Sequence, residues 1–235
     1  LKFNKMKDTL RSRFSDAPWM KNIQEQIVVI GGAGGIGSWL TLLLSRMGPE
    51  IIVYDFDKIE EHNIGGQWFK KGDIGNTKVN ALRNNIRNFS NIDISAMNEK
   101  ATEETLVSEY CFSAFDNMKA RKDLFNAWKK ANKDNPNALF IDGRLAAEQW
   151  EIYCIRNTPE DIAYYENPEI LFEDSEIPDA PCTMKQTSHF AAQIASFMSE
   201  FFTNHLTNVN SGELERRLPK KVSYIGQLNI FKSEY

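Results

Sequence analysis

Apolar positions along this chain fall into two rhythms. Some segments are short continuous runs of β-branched and aliphatic residues. Others carry an apolar residue every three or four positions. Residues 27–30, Ile-Val-Val-Ile, form the first continuous run, the pattern of a strand buried on both faces in a parallel sheet. A glycine cluster follows, and residues 36–47 then read as an apolar helix. Residues 51–54 read as a second buried strand, ending at Asp55. Strand, glycine turn, helix and strand together make a βαβ unit. Farther on, Val79, Leu82, Ile86 and Phe89 have helical spacing and predict a helix over 76–88. Residues 92–97 predict a short strand, 102–109 a helix, 111–115 a strand ending at Asp116, and 117–132 a helix. Two more strands are expected over 138–141 and 148–155.

The rest of the chain is less regular. Residues 1–26 are polar with spaced Met6, Leu10, Phe14 and Trp19, and read as a helical arm with a connector. In 57–74, Gly65, Gly66 and Gly72 break any helix. Residues 157–181 carry Pro159, Pro168, Pro178 and Pro181 among many acidic residues, and read as a long crossover loop. Residues 188–205 read as an apolar helix, and 222–225 and 228–231 as two strands around Gly226. The expected organisation is an arm (1–26), an α/β core (27–156), and a crossover, helix and terminal strands (157–235) in the same domain.

Composition narrows the classes. With 235 residues, 42% hydrophobic and 26% charged, the chain can bury one sizeable core, which excludes a wholly disordered protein. No apolar run reaches the roughly 20 residues that a membrane span needs. No charged-then-apolar leader opens the chain, and an initial Leu1 fits a processed or trimmed start. The net charge of −4, with acidic and basic residues interleaved, gives no basic stripe for nucleic acid. Three cysteines, Cys111, Cys154 and Cys182, form no C-x-x-C pair. That argues against a disulfide scaffold or a four-cysteine zinc site and favours a reduced, cytoplasmic setting.

Candidate chemistry begins at the glycine cluster. Gly32, Gly34 and Gly37 match G-x-G-x-x-G, with the strand before and the helix after that this motif requires. The first glycine allows the tight turn, the second lets phosphate approach backbone N–H groups, and the third lets helix and strand pack closely. The phosphate then lies at a helix N-terminus, where unpaired donors and the helix dipole favour it. Asp55 stands where an acidic residue would reach a ribose hydroxyl. To this point a nicotinamide dehydrogenase and a nucleoside-triphosphate enzyme are equally open.

The residues after Asp55 separate these readings. They run Asp55-Phe56-Asp57, then Asn63-Ile64-Gly65-Gly66-Gln67, then Asp73-Ile74-Gly75-Asn76-Thr77-Lys78, and later Asp116-Asn117-Met118-Lys119-Ala120-Arg121. In order, these resemble the D-x-D, N-x-x-R-Q, D-[IV]-G-x-x-K and D-N-x-x-x-R elements of the ThiF/MoeB group. This adenylating family includes the activators of ubiquitin-like and sulfur-carrier proteins. The resemblance covers residues 27–144. It implies a doubly wound, mostly parallel α/β sheet of Rossmann-like kind, with a C-terminal extension of antiparallel strands and one long helix. It further implies an ATP- and Mg²⁺-dependent adenylyltransferase that activates the C-terminal carboxylate of a separate carrier protein or peptide and works as a homodimer.

By the same resemblance, Asp55 would hold the ribose, Asn63 and Gln67 would shape the phosphate site beside Asp57, Lys78 would contact phosphate, and Asp116 would bind Mg²⁺. The family arginine falls on Gly66, which supplies no charge. Lys70 and Lys71 are nearby cations without the planar fork of arginine. Arg11 and Arg13 stand where family members lend an arginine to a partner subunit. Gly66 admits a second reading, a nucleotide-binding relative of weak or no activity.

Cys182, with Lys185 and His189 near in sequence, is the candidate acceptor for an acyl group, whereas Cys111 and Cys154 fall in strands and read as core. The zinc-binding C-x-x-C pairs of many bacterial relatives are absent, so no structural zinc is expected. Arg144 follows a strand end and is expected either to face the substrate tail or crossover loop, or to form a salt bridge. His62 and His205 carry no assigned role.

Overall fold

The structure is a computed structural model that describes residues 11–173, 187–212 and 216–235. Eight strands form one sheet in the order β3-β2-β1-β4-β5-β6-β7-β8. These are β1 (Ile27–Gly31), β2 (Glu50–Tyr54), β3 (Ser95–Met97), β4 (Tyr110–Ser113), β5 (Leu139–Ala146), β6 (Gln149–Arg156), β7 (Lys221–Ile225) and β8 (Ile230–Glu234). The first five are parallel to their neighbours, and β6, β7 and β8 add antiparallel. The helices are α1 (Gly35–Met47), α2 (Lys78–Ser90), α3 (Met118–Ala131), α4 (Pro159–Tyr165) and α5 (Ser188–Ser211).

Helix α1 forms because Ile36, Leu40 and Leu44 recur at four-residue spacing and bury one face completely or nearly so. It stops at Gly48, which takes the left-handed conformation that glycine adopts without a Cβ penalty. One face of the sheet packs against α1, α2 and α5, through Leu40, Leu82, Ile194, Met198 and Phe202. The other face packs against α3 and α4, through Phe125, Trp128, Phe140 and Tyr165.

Several sequence expectations need correction. Residues 102–109 form no helix, because local side-chain bonds replace helical ones: Thr102 N–H donates to Thr105 Oγ1 (2.7 Å) and Glu104 N–H to Thr102 Oγ1 (3.3 Å). The expected loop after residue 157 contains α4, which starts with Pro159 in its first turn and the Thr158 hydroxyl accepting from Asp161 N–H. In the arm, the described part consists of three short 3₁₀ turns, Ser12–Phe14, Pro18–Met20 and Ile23–Glu25, in place of one helix. It is tied to α5 by Asn210, whose side-chain amide donates to the carbonyls of Pro18 and Lys21.

Candidate functional site

Register sets the carboxyl edge of the parallel strands. Tyr54 of β2 pairs with Gly31 of β1, Gly31 with Ser113 of β4, and Ser113 with Asp142 of β5. The chain leaves β1 toward β2 and β3, then returns to the other side of β1 as β4. This is a topological switch point, and the crevice outside β1 and β4 is where such sheets bind ligands.

The glycine turn lies in that crevice. Gly32 has φ +94° and its backbone crowds Ala114, so that a Cβ there would lie 2.8 Å from the Ala114 carbonyl oxygen. A Cβ on Gly37 would lie 1.8 Å from the Gly32 carbonyl oxygen, so the first turn of α1 rests directly on the loop. Gly34, the N-cap of α1, is different: among the described residues its Cβ position is open, with only Gln67 Nε2 nearby at 3.9 Å. The third glycine thus packs, and the second leaves room for a ligand.

Asp55 braces the turn from β2. Its Oδ2 accepts from Ala33 N–H (2.7 Å) and its Oδ1 from Asp57 N–H (2.8 Å). Burial pushes its carboxyl above the ordinary value, while the Lys78 cation and the two backbone N–H groups pull it down. Asp57 receives the Lys78 ammonium at 2.7 Å, and its carbonyl accepts from Lys78 N–H (2.8 Å). Lys78, the first residue of α2, is therefore drawn toward Asp55 and the turn.

Residues 61–69 form a roof. Asn63 Oδ1 accepts from Glu60 N–H (2.8 Å), and its carbonyl accepts from Gln67 N–H (2.9 Å). Trp68 N–H donates to Ser38 Oγ (2.9 Å) and Trp39 Nε1 to the Gly66 carbonyl (3.2 Å), pinning this segment to the start of α1. Gln67 is buried, and its Oε1 has no hydrogen-bond partner among the described residues. A buried amide oxygen so placed is poised for a donor on an incoming ligand. Gly66 itself is buried and brings no cation. Lys70 is exposed and lies 4.0 Å from Asp73.

Asp116 stands exposed just beyond Ala114 and Phe115, and among the described residues only the Asn117 side-chain amide bonds to it, at 3.3 Å. Asn117 in turn caps α3 by accepting from Ala120 N–H (2.8 Å). The structure therefore gathers Gly32, Gly34, Gly37, Asp55, Asp57, Asn63, Gln67 and Lys78 around one turn, with Asp116 at its rim. The arm residues lie apart from this group. Arg11 is buried with its guanidinium against Gly48, at the opposite end of α1 from the glycine turn of the same chain. Arg13 is exposed on a 3₁₀ turn. Cys182 and Lys185 lie outside the described residues. Cys111 and Cys154 are buried, and burial pushes both thiols well above their ordinary value, as suits core residues. Arg144 is in a salt bridge with Asp142 and donates to the Ile170 carbonyl.

Sequence comparison matches residues 7–224 to the ThiF family. The chain belongs to that family. Among curated ThiF-type relatives, ubiquitin-like modifier-activating enzyme 5 of Bombyx mori is 30% identical over 93 residues, 39% of this chain and 24% of that protein. The enzyme of the same name from Mus musculus is 34% identical over 71 residues, 30% of this chain and 18% of that protein. The matched stretch thus spans a quarter or less of these relatives. Among solved structures, PaaA superposes with a TM-score of 0.71 at 18% identity, covering 99% of this chain and 82% of that one. Escherichia coli MccB, crystallised with ATP, superposes with a TM-score of 0.69 at 17% identity, covering 92% of this chain and 65% of that one. At such identities the likeness is one of fold, and it confirms the α/β architecture that the ThiF motifs imply.

Proposed function

We propose that this chain is an ATP-dependent adenylyltransferase that activates the C-terminal carboxylate of a separate ubiquitin-like or sulfur-carrier protein or peptide. One observation carries the reading: an open glycine turn at the switch point, roofed by Gln67, whose amide oxygen has no partner among the described residues, and flanked by Lys78 through Asp57. A dehydrogenase needs the turn and Asp55 but neither the roof nor the lysine. Membership of the ThiF family supports the same choice.

In this reading the phosphates lie over Gly34 and the N-terminus of α1, where N–H groups and the helix dipole face them. Asp55 takes the ribose through the lone pairs left over from its two backbone bonds. Gln67 and Asn63 shape the roof, and Lys78 shares its ammonium between Asp57 and phosphate. A carboxylate oxygen of the substrate attacks the α-phosphorus, the bond from that phosphorus to the bridging oxygen breaks, and pyrophosphate leaves with the electron pair. Mg²⁺, when bound, neutralises phosphate charge. Asp116 fits that ion: it is an exposed hard carboxylate that pairs with no cation among the described residues. In a homodimer, Arg13 would reach the cleft of the second copy, and Cys182 would be the acceptor of an activated acyl group.

ATP–pyrophosphate exchange with candidate carriers tests the proposal. Exchange in the wild type, lost about 100-fold or more in Asp116→Ala, is the expected result; removing a group that faces transition-state charge has effects of this size. Exchange untouched by the substitution removes the assigned metal role. Gly66 favours a second reading, a nucleotide-binding scaffold, which predicts tight ATP binding without exchange from any carrier.

A further inference from the structure

Asp142 is the most enclosed charge at the carboxyl edge, with no exposed surface, and it collects three donors. Arg121 Nη1 makes a close ion pair with it, Arg144 Nε donates at 2.7 Å, and Tyr165 Oη donates at 2.9 Å. Burial alone would raise this carboxyl, but the two arginines hold it below its ordinary value, so it stays ionised. Two cations on one anion is more charge than a stabilising core pair needs, and replacing such clusters by apolar residues is often neutral or stabilising. The cluster therefore calls for a purpose besides stability.

Arg121 shows where that purpose lies. Its Nη1 also donates to the Gly143 carbonyl (3.0 Å), and its Nη2 makes a close hydrogen bond to the Phe115 carbonyl. That carbonyl belongs to the peptide joining Phe115 to Asp116. The preceding residue, Ala114, donates its N–H to the Gly31 carbonyl (2.8 Å), and the Phe115 ring fills the space beside Gly31. Arg121 is thus a clamp: from the second turn of α3 it reaches back to the peptide before Asp116, and the fixed carboxylate of Asp142 holds its other arm.

We propose that Arg121, anchored by Asp142, is a positioning residue that aims the Asp116 carboxylate at the metal bound with the nucleotide's phosphates. This deepens the reading of Asp116 given above and rests on it. A planar guanidinium can bridge the carboxylate and the carbonyl at once, whereas lysine reaches one of them at a time.

The test is Mn²⁺ binding, followed by electron paramagnetic resonance, to the full chain in the presence of a non-hydrolysable ATP analogue. It is run on the wild type, Arg121→Lys, Arg121→Gln, Asp116→Ala and the double variant Arg121→Lys/Asp116→Ala. The expected result is about tenfold weaker Mn²⁺ binding in Arg121→Lys and a larger loss in Arg121→Gln, with metal-free analogue binding changed less than about threefold. In the double variant, Mn²⁺ binding should equal that of Asp116→Ala alone, because the clamp acts only through that carboxylate. Additive losses, or unchanged Mn²⁺ binding in a folded Arg121→Lys, would overturn the proposal. If Arg121→Gln fails to fold, Arg121→Lys and Tyr165→Phe, which loosens Asp142 without touching Arg121, give the same comparison. Because the readout is metal binding, a wild type that binds Mn²⁺ and nucleotide but exchanges no pyrophosphate would refute the adenylation reading while leaving this one to stand or fall on the cycle.

Discussion

A methyl group added at Gly37 would lie 1.8 Å from a backbone oxygen, with no flexible side chain to move aside. Gly37→Ala is therefore expected to cost at least about 3 kcal/mol in a urea titration, at the upper end of overpacking effects. Among the described residues, Gly34→Ala meets only Gln67, at ordinary contact distance. Its urea midpoint should stay near the wild type, while ATP affinity measured by calorimetry falls tenfold or more, about 1.4 kcal/mol. Equal effects of the two substitutions on stability would contradict the division of roles. The turn itself is legible in the sequence, because its glycines stand together between a strand run and a helical pattern, and Asp55, 22 residues beyond Ala33, ends the next strand run of the same βαβ unit. The Arg121–Asp142 clamp is not: Arg121 closes the D-N-x-x-x-R element, but no residue pattern points from it to Asp142, and the pairing of β4 with β5 brings the two together.

At the scale of elements, α5 carries a built-in pH response. His205 is buried, and its Nε2 faces the Asn137 carbonyl at 2.7 Å, so the ring donates there. Burial lowers the imidazole below its ordinary 6.5, against that hydrogen bond and Glu109. The unfolded chain therefore takes up a proton at a higher pH than the folded one. The stability tied to this group is complete above about pH 7 and declines as pH falls through 6.5 toward the lowered folded value. His205→Gln should flatten the dependence of the urea midpoint between about pH 7 and about pH 5, where the slope from one such group is at most about 1.4 kcal/mol per unit. Elements with strong periodicity, such as α1, α2 and β4, are legible in the residues. Two others are not, for opposite reasons. Residues 102–109 look helical by spacing but satisfy their backbone through threonine hydroxyls. In α4, Thr158, Pro159 and two acidic residues are a helix start that the surrounding prolines disguise as loop.

For the whole molecule, the sheet joins a five-strand parallel part, which builds the crevice, to a three-strand antiparallel part that lies beyond it. A ligand that binds only the folded crevice must raise the stability of the entire chain. MgATP at about a hundred times its dissociation constant should contribute about 2.7 kcal/mol, an increase in Tm of about 5–10 °C for a chain of this size. NADH at the same concentration should leave Tm unchanged, and a larger shift with NADH than with MgATP would favour redox chemistry. The doubly wound half is legible from buried strand runs alone, whereas the antiparallel half is only partly so, since β8 is exposed throughout. That strand is the last in the sheet, and beyond it the described residues supply no neighbour. Phe231 and Ile230 present apolar surface along this open rim, and Lys232 and Glu234 interrupt it with charges of opposite sign. Charged side chains on an exposed edge strand oppose the addition of a strand from another chain, so this pair of charges sets the rim against edge-to-edge growth.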